Sequence, residues 1–473
     1  MTQAQEISGH TLTALGFEPG PWFPQALQAL RAHVANSEAG ALDEATIRAI
    51  VTPIAPEIRP KVALQEPSFV SYLRADGSGL DELNVRAVEA TMTEVTKTPT
   101  VREAYVMPDA CPAGPVGTIP VGGVVAAENA IHPGMHSADI CCSVMLTDMG
   151  TADPAKVMDA IHEVTHFGPG GRNRETEFPW PDQFRKAFAD NRFLSNGKLT
   201  QAARSHLGTQ GDGNHFAFVG RSRKTGNTCL VTHHGSRGAG ANLYAQGMKV
   251  AEKFRAAMSP ETLRQNAWIP FDSPEGEDYW AALQIIRDWT KANHGVLHDA
   301  ALGLLGIDGE DRFWNEHNFV FKEGDLFWHA KGATPVARHL LPDTDGRMLV
   351  PLNMAEPVLV IRQEGGKAPS KWAPHGAGRN FSRTQHRRQV NGTDAEIFAR
   401  ETKGLDVRFF SGNIDVTELP SAYKDARFVA QEIEHHKLAT IADHIDPYGS
   451  IMAGDWEKDA PWRKKKWKKR AKA

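Results

Sequence analysis

Long apolar runs are missing from this chain. No stretch approaches the roughly 20 consecutive apolar residues that a bilayer span requires. The opening residues, MTQAQEISGH, are polar and lack the apolar core of a secretory leader. Cysteine is scarce: Cys111, Cys141, Cys142 and Cys229 are the only four, and the adjacent pair Cys141–Cys142 is poorly arranged for a disulfide framework. These absences argue against a membrane-spanning or disulfide-stapled protein and set the expectation of a cytoplasmic location with reduced thiols. An excess of one charge is missing too. Lys and Arg number 53 against 57 Asp and Glu, a formal net charge of −4, which argues against a generic polyanion binder. The average conceals one asymmetry. The stretch PWRKKKWKKRAKA carries eight Lys/Arg between Arg463 and Lys472. Such a block reads either as a solvated tail or as a phosphate-backbone contact, with Trp462 and Trp467 able to stack on bases.

What is present is an ordinary soluble composition, 41% hydrophobic and 23% charged over 473 residues. That length suits one large catalytic domain with appendages, or two to three ordinary domains. Residues 1–55 read as a small helical module, with LGFEPGPWFPQALQALRAHV giving turn residues and then helical apolar spacing. From residue 56 the character changes. Glycine-rich loops alternate with short β-branched and aromatic runs, TCLVTH, FVFK, LFWH and PVLVIR, which predict strands. Amphipathic segments at 242–258 and 277–305 predict helices. The expected fold is α+β: a large domain over 56–455, the helical module before it and the basic tail 456–473 after it.

Histidine, glycine and asparagine concentrate in the loops. MPDACPAGPVGTIPVGG (107–123), HPGMHSADICCSV (132–144), LGTQGDGNHF (207–216), THHGSRGAG (232–240) and PHGAGRNFSR (374–383) stand out, with EHNF (316–319) and WHAKGAT (328–334) beside them. Glycine allows close backbone approach. Gly-rich turns present N–H groups to phosphate oxygens. Histidine, cysteine and aspartate supply ligands for a borderline divalent ion, manganese or zinc. A single His-Gly pair would mean little, since loop histidines commonly just cap turns; many such loops in one chain are hard to explain by packing.

In order and spacing, GNHF (213–216), HHGSRG (233–238), HN (317–318), KGAT (331–334), HGAGRNFSR (375–383) and AYK (422–424) resemble the RtcB-type RNA ligase family over about residues 100–455. The resemblance implies a single large catalytic domain over 56–455, with central sheets around a metal-lined cleft, and two Mn(II) ions held by Asp139, Cys142, His215, His233 and His317. It implies that His375 is the guanylated nucleophile, with GTP contacted by Asn214, His317, Asn318, Gly376, Ala377, Gly378, Arg379 and Tyr423. Asp109 would help organise the centre, and Arg237 and Lys331 would meet RNA or phosphate. The expected partners are RNA ends, GTP and an activating protein, with the chain a monomer or dimer and no membrane involved.

Several positions depart from the family pattern. Cys111 stands where histidine is usual, Phe218 where a carboxylate is usual, Ala330 in an arginine position, and PLNMA (351–355) in place of a glycine-serine loop. Met452–Ala453 aligns with a lysine-glycine end. The reacting groups persist while groups expected around the nucleotide base are altered. Three functions therefore compete: a GTP-dependent ligase joining 2′,3′-cyclic phosphate or 3′-phosphate ends to 5′-hydroxyls, a related nucleotidyltransferase with changed nucleotide or end specificity, and a non-catalytic RNA-end binder.

Overall fold

The computed structural model describes residues 7–17, 22–36, 42–55, 59–75, 77, 79–341, 344–363, 370–380 and 382–456, with only the backbone of 79 and 80. Phe381 and almost all of the basic tail lie outside the described residues. Contacts divide the chain into two compact units, Met1–Lys61 and Val62–Ala473.

The first unit contains helices Gly9–Ala14, Phe23–Asn36 and Glu44–Val51. Ala26 and Leu30, and likewise Ile47 and Val51, repeat at helical spacing and close with Leu12 into a small core. Asp43 caps the third helix by accepting from the Thr46 N–H at 2.7 Å.

The second unit is α+β. An eight-stranded sheet runs in the order Arg347–Pro351, Val358–Arg362, Thr440–Met452, Phe216–Ser222, Thr228–His234, Ser143–Asp148, Asp311–Glu316, and Asp406–Phe409 pairs off this path with Thr440–Met452. A five-stranded sheet runs Val70–Ser71, Val101–Cys111, Val121–Glu128, Leu326–Lys331, Asn318–Glu323. The runs expected as strands are strands. His317 is the single residue between Asp311–Glu316 of one sheet and Asn318–Glu323 of the other. It marks where the chain passes between them.

The two long helices are Arg237–Met258 and Pro274–Leu305. The longer one starts with Ser273 capping the Gly276 N–H and Pro274 in the first turn, and ends on left-handed Gly306. Its buried stripe includes Leu283, Ile286, Trp289 and Leu297. The stripe also carries His294 and His298, which are satisfied by the sheet. His294 bonds Ser143 at 3.0 Å and Thr232 at 2.7 Å; His298 bonds Thr232 at 2.8 Å and Thr147 at 2.7 Å. These contacts fix the helix on the strands next to Cys142 and His233. One contiguous core draws on both sheets and on this helix, with Trp289, Trp314, Trp328 and Trp372 among its buried members. Among the described residues, no helix is long and apolar enough to cross a membrane.

Candidate active site

Strand ends deliver the reactive side chains. Cys142 precedes Ser143–Asp148, His215 precedes Phe216–Ser222, His233 lies near the end of Thr228–His234, and His317 lies at the crossing between sheets. Two overlapping ligand triads result: Cys142, His233 and His317, and Asp139, Cys142 and His215, each with donor atoms within 4.8 Å of one another. Cys142 Sγ stands 3.1 Å from His233 Nε2 and 3.7 Å from His215 Nε2; Asp139 Oδ2 is 3.1 Å from His215 Nε2, and the Nε2 atoms of His233 and His317 are 3.3 Å apart. Gly235 lets Asp139 reach the cluster, because a Cβ there would lie 2.0 Å from Asp139 Oδ1.

The surroundings prepare these groups as ligands. His215 Nδ1 donates to the Gln210 carbonyl at 2.6 Å and His233 Nδ1 to the Asn214 carbonyl at 3.2 Å. A carbonyl can only accept, so both Nδ1 atoms carry a proton and both Nε2 atoms are turned toward the cluster, where the His233 Nε2 presents a lone pair. Burial and neighbouring imidazoles push the His233 pKa down to about 3 and that of His317 well below its usual value. Both rings are therefore neutral. Burial and the adjacent Asp139 push the Cys142 thiol well up. Burial raises the Asp139 pKa, but the His215 hydrogen bond and charge outweigh it, and the carboxyl stays below its usual value. His317 Nδ1 is buried with no hydrogen-bond partner. A buried thiol, neutral imidazoles and a carboxylate that converge in this way fit a divalent cation, whose charge would hold Cys142 as thiolate.

His375 follows the short strand Trp372–Pro374, which pairs with Ala333–Pro335. Its Nδ1 is 2.6 Å from Asp109 Oδ2, and Asp109 is fully buried. The carboxylate accepts a hydrogen bond from Nδ1–H, the tautomer in which the neutral ring keeps its lone pair on Nε2. The His375 and His317 rings are 4.9 Å apart, so that nitrogen belongs to the ligand cluster's neighbourhood. Gly378 has φ +70, and a Cβ there would meet the Asp109 carbonyl at 1.9 Å; only glycine lets this loop fold over Asp109.

A cavity of about 260 Å³ connects these groups. Asp139, Cys142, Asn214, His233, His317, Asn318, Lys331, Gly376, Ala377, Gly378, Arg379 and Tyr423 all line it, together with His375. Asn318 Oδ1 accepts from the Gly332 N–H at 2.7 Å. Lys331 donates to the Ile119 carbonyl at 2.9 Å, and burial lowers its pKa to about 8. Arg379 is held by Glu418 at 2.6 Å, the Thr417 carbonyl at 2.7 Å and Tyr423 at 3.2 Å. Arg237 does not line the cavity. It opens the helix Arg237–Met258 and donates to the Gly168 carbonyl at 3.0 Å. Of the altered positions, Cys111, Phe218, Asn353 and Met452 line the cavity. Ala330 does not: it is buried in the main core, paired with Val124 and Phe319. Sequence reasoning missed Glu418, a fully buried carboxylate shared by Arg379, Arg383 and Tyr423. Its only signal was closeness in sequence to AYK.

The chain matches the family described as "tRNA-splicing ligase RtcB" over residues 91–453. The chain belongs to the RtcB family. Among relatives, the "tRNA-splicing ligase RtcB" of Aeropyrum pernix is 25% identical over 483 residues, covering 82% of this chain and 94% of the relative. That of Thermococcus kodakarensis is 25% identical over 70% of this chain and 84% of its own length. The "RNA-splicing ligase RtcB" of Mycobacterium tuberculosis is 26% identical, over 74% and 97%. The RtcB match ends at residue 453 and so includes both the ligand cluster and the apolar positions Phe218 and Met452.

Proposed function

We propose that the chain is an RNA ligase that joins 2′,3′-cyclic phosphate or 3′-phosphate ends to 5′-hydroxyl ends through a nucleotide carried on His375. GTP is the nucleotide the family resemblance implies, and Mn(II) the metal. The observation that carries this reading is the Asp109–His375 hydrogen bond beside two ligand triads. It leaves an unprotonated imidazole nitrogen facing a cavity that can hold triphosphate and cation together.

His375 Nε2 attacks the α-phosphorus. The N–P bond forms as the bond to the bridging oxygen breaks, and pyrophosphate leaves. The proton stays on Nδ1, and Asp109, accepting its hydrogen bond, stabilises the positive charge that develops on the ring. An RNA 3′-phosphate oxygen then takes the nucleotide from His375, water having first opened any cyclic phosphate. The 5′-hydroxyl attacks the activated 3′-phosphate and expels the nucleoside monophosphate. Divalent ions held by Asp139, Cys142, His215, His233 and His317 would neutralise phosphate charge. Asn214, Asn318 and the Gly376–Gly378 loop orient the phosphates, and Lys331 adds a cation.

Incubation with Mn(II) and α-labelled GTP tests this. Acid-labile label should appear on the protein and fall by at least about 10³-fold in His375→Ala. Label retained in that variant contradicts the proposal.

A further inference from the structure

One wall of the cavity has a different chemistry from the ligand cluster. Phe216 and Phe218 alternate on one strand and so share a face. Their register partners on the neighbouring strand are Met452 and Ser450. The Phe216 ring packs against His233 at 5.2 Å, and Phe218 lies one pleat further along. Met354 and Val358 extend this apolar wall.

Among the described residues, the carboxylates lining the cavity are Asp139 and Glu418. Asp139 belongs to the ligand cluster. Both Glu418 oxygens are engaged: Oε1 accepts from Arg383 at 2.8 Å, and Oε2 from Arg379 and the Tyr423 hydroxyl, each at 2.6 Å. No lining carboxylate remains for the N1–H and exocyclic amine of guanine, the donors by which a protein tells guanine from adenine. Guanine also brings a carbonyl to that edge, whereas adenine brings one amine and one ring nitrogen. Against phenylalanine rings and thioethers, the base with fewer polar groups suffers the smaller desolvation penalty. The rings and sulfur atoms stack on either purine without reading its edge. Asn353 adds little discrimination. Its Oδ1 accepts from the Ala355 N–H at 2.9 Å, and its Nδ2 is a donor that ring nitrogens of either purine can meet.

We propose that this apolar wall is a nucleobase subsite that does not select guanine, so that ATP serves as nucleotide donor on a par with GTP. The inference rests on the reading of His375 as the nucleotide acceptor. The transfer itself is unchanged: His375 Nε2 bonds to the α-phosphorus and pyrophosphate leaves, whichever base is attached.

The full chain with Mn(II) is given α-labelled ATP or GTP, and the efficiency of acid-labile labelling is compared. Equilibrium binding of the α,β-methylene analogues, which cannot be transferred, is measured alongside. Efficiencies and affinities within about threefold of each other, or favouring ATP, are expected; a GTP preference beyond about threefold in both overturns the inference. Phe218→Glu supplies a carboxylate and should shift the ratio toward GTP by about tenfold. Phe218 and Met452 pack in different hydrophobic cores, so Met452→Lys is made in parallel, its ammonium able to donate to the guanine carbonyl. An unchanged ratio in both variants, with melting showing them folded, also overturns it. If neither nucleotide labels the wild type, or label survives His375→Ala, the proposed function fails. Strong labelling from GTP with none from ATP defeats the base assignment alone.

Discussion

At the ligand end of the cavity, side chains come from strand ends and turns. Three are steered by a second group: His215 by the Gln210 carbonyl, His233 by that of Asn214, His375 by Asp109. At the other end, Phe216, Phe218 and Met452 belong to the paired strands Phe216–Ser222 and Thr440–Met452 and join hydrophobic cores on the same sheet. The first arrangement fixes proton positions and ligand directions to within a hydrogen bond. The second fixes only a surface. The difference teaches where function resists substitution: an end built on directional bonds tolerates little change, while an end built on apolar contact can be rewritten without moving the backbone.

The sharpest way to break that contrast is Asp109→Asn. The amide can donate to Nδ1 and would stabilise the tautomer with the proton on Nε2. Self-labelling should fall about 10²–10⁴-fold while the fold is retained, as judged by rapid-quench labelling and thermal melting. Wild-type rates would show that the hydrogen bond does not set the nucleophile. Cys142→Ala removes the one ligand common to both triads. Metal affinity should drop by more than about 100-fold in a metal titration, whereas Met452→Leu at the apolar end should leave it unchanged. Equal losses in the two variants would erase the distinction between the ends.

Stability provides two smaller tests. Glu418→Gln leaves Arg379 without its buried counter-charge and should cost about 3 kcal/mol by denaturant unfolding. Away from the cavity, His132 and His136 are buried and their pKa values are pushed down to about 4, chiefly by burial. Their neutral forms are the ones the fold accepts. Their contribution is complete above the unfolded value of about 6.5 and is lost as pH falls toward 4, by up to about 3 kcal/mol each. Unfolding midpoints measured across that window should decline, and His132→Gln should flatten the decline. A flat profile in the wild type would contradict the assignment.

The same contrast explains what could be read from the sequence. Asp139 and Cys142, the histidines of GNHF, HHGSRG and EHNF, and His375 are legible because glycine and asparagine must flank side chains that approach so closely, as Gly235 and Gly378 do. The strands and long helices follow from their apolar periods. The helix Arg237–Met258 begins earlier than its apolar period suggests, because GSRGAG reads as a loop while its small residues lie against His206 and Ser236. Phe218 and Met452 look like ordinary strand residues; only the pairing of Phe216–Ser222 with Thr440–Met452 brings them to the cavity. Glu418 lies in a short turn, Val416–Glu418, and its importance comes from Arg379 and Arg383 reaching it across the fold. Ala330 carries the opposite lesson: a departure from the family pattern beside a motif lysine, it points into the core.

Under the proposed function, Nε2 of His375 is the atom that takes the nucleotide. Peptide mapping by mass spectrometry, after incubation with Mn(II) and nucleotide at neutral pH and digestion without acid, tests this most directly. One nucleoside monophosphate per chain is expected on the peptide that contains His375, absent from Asp109→Asn at early times. An adduct on another residue, or none with metal bound, would contradict it.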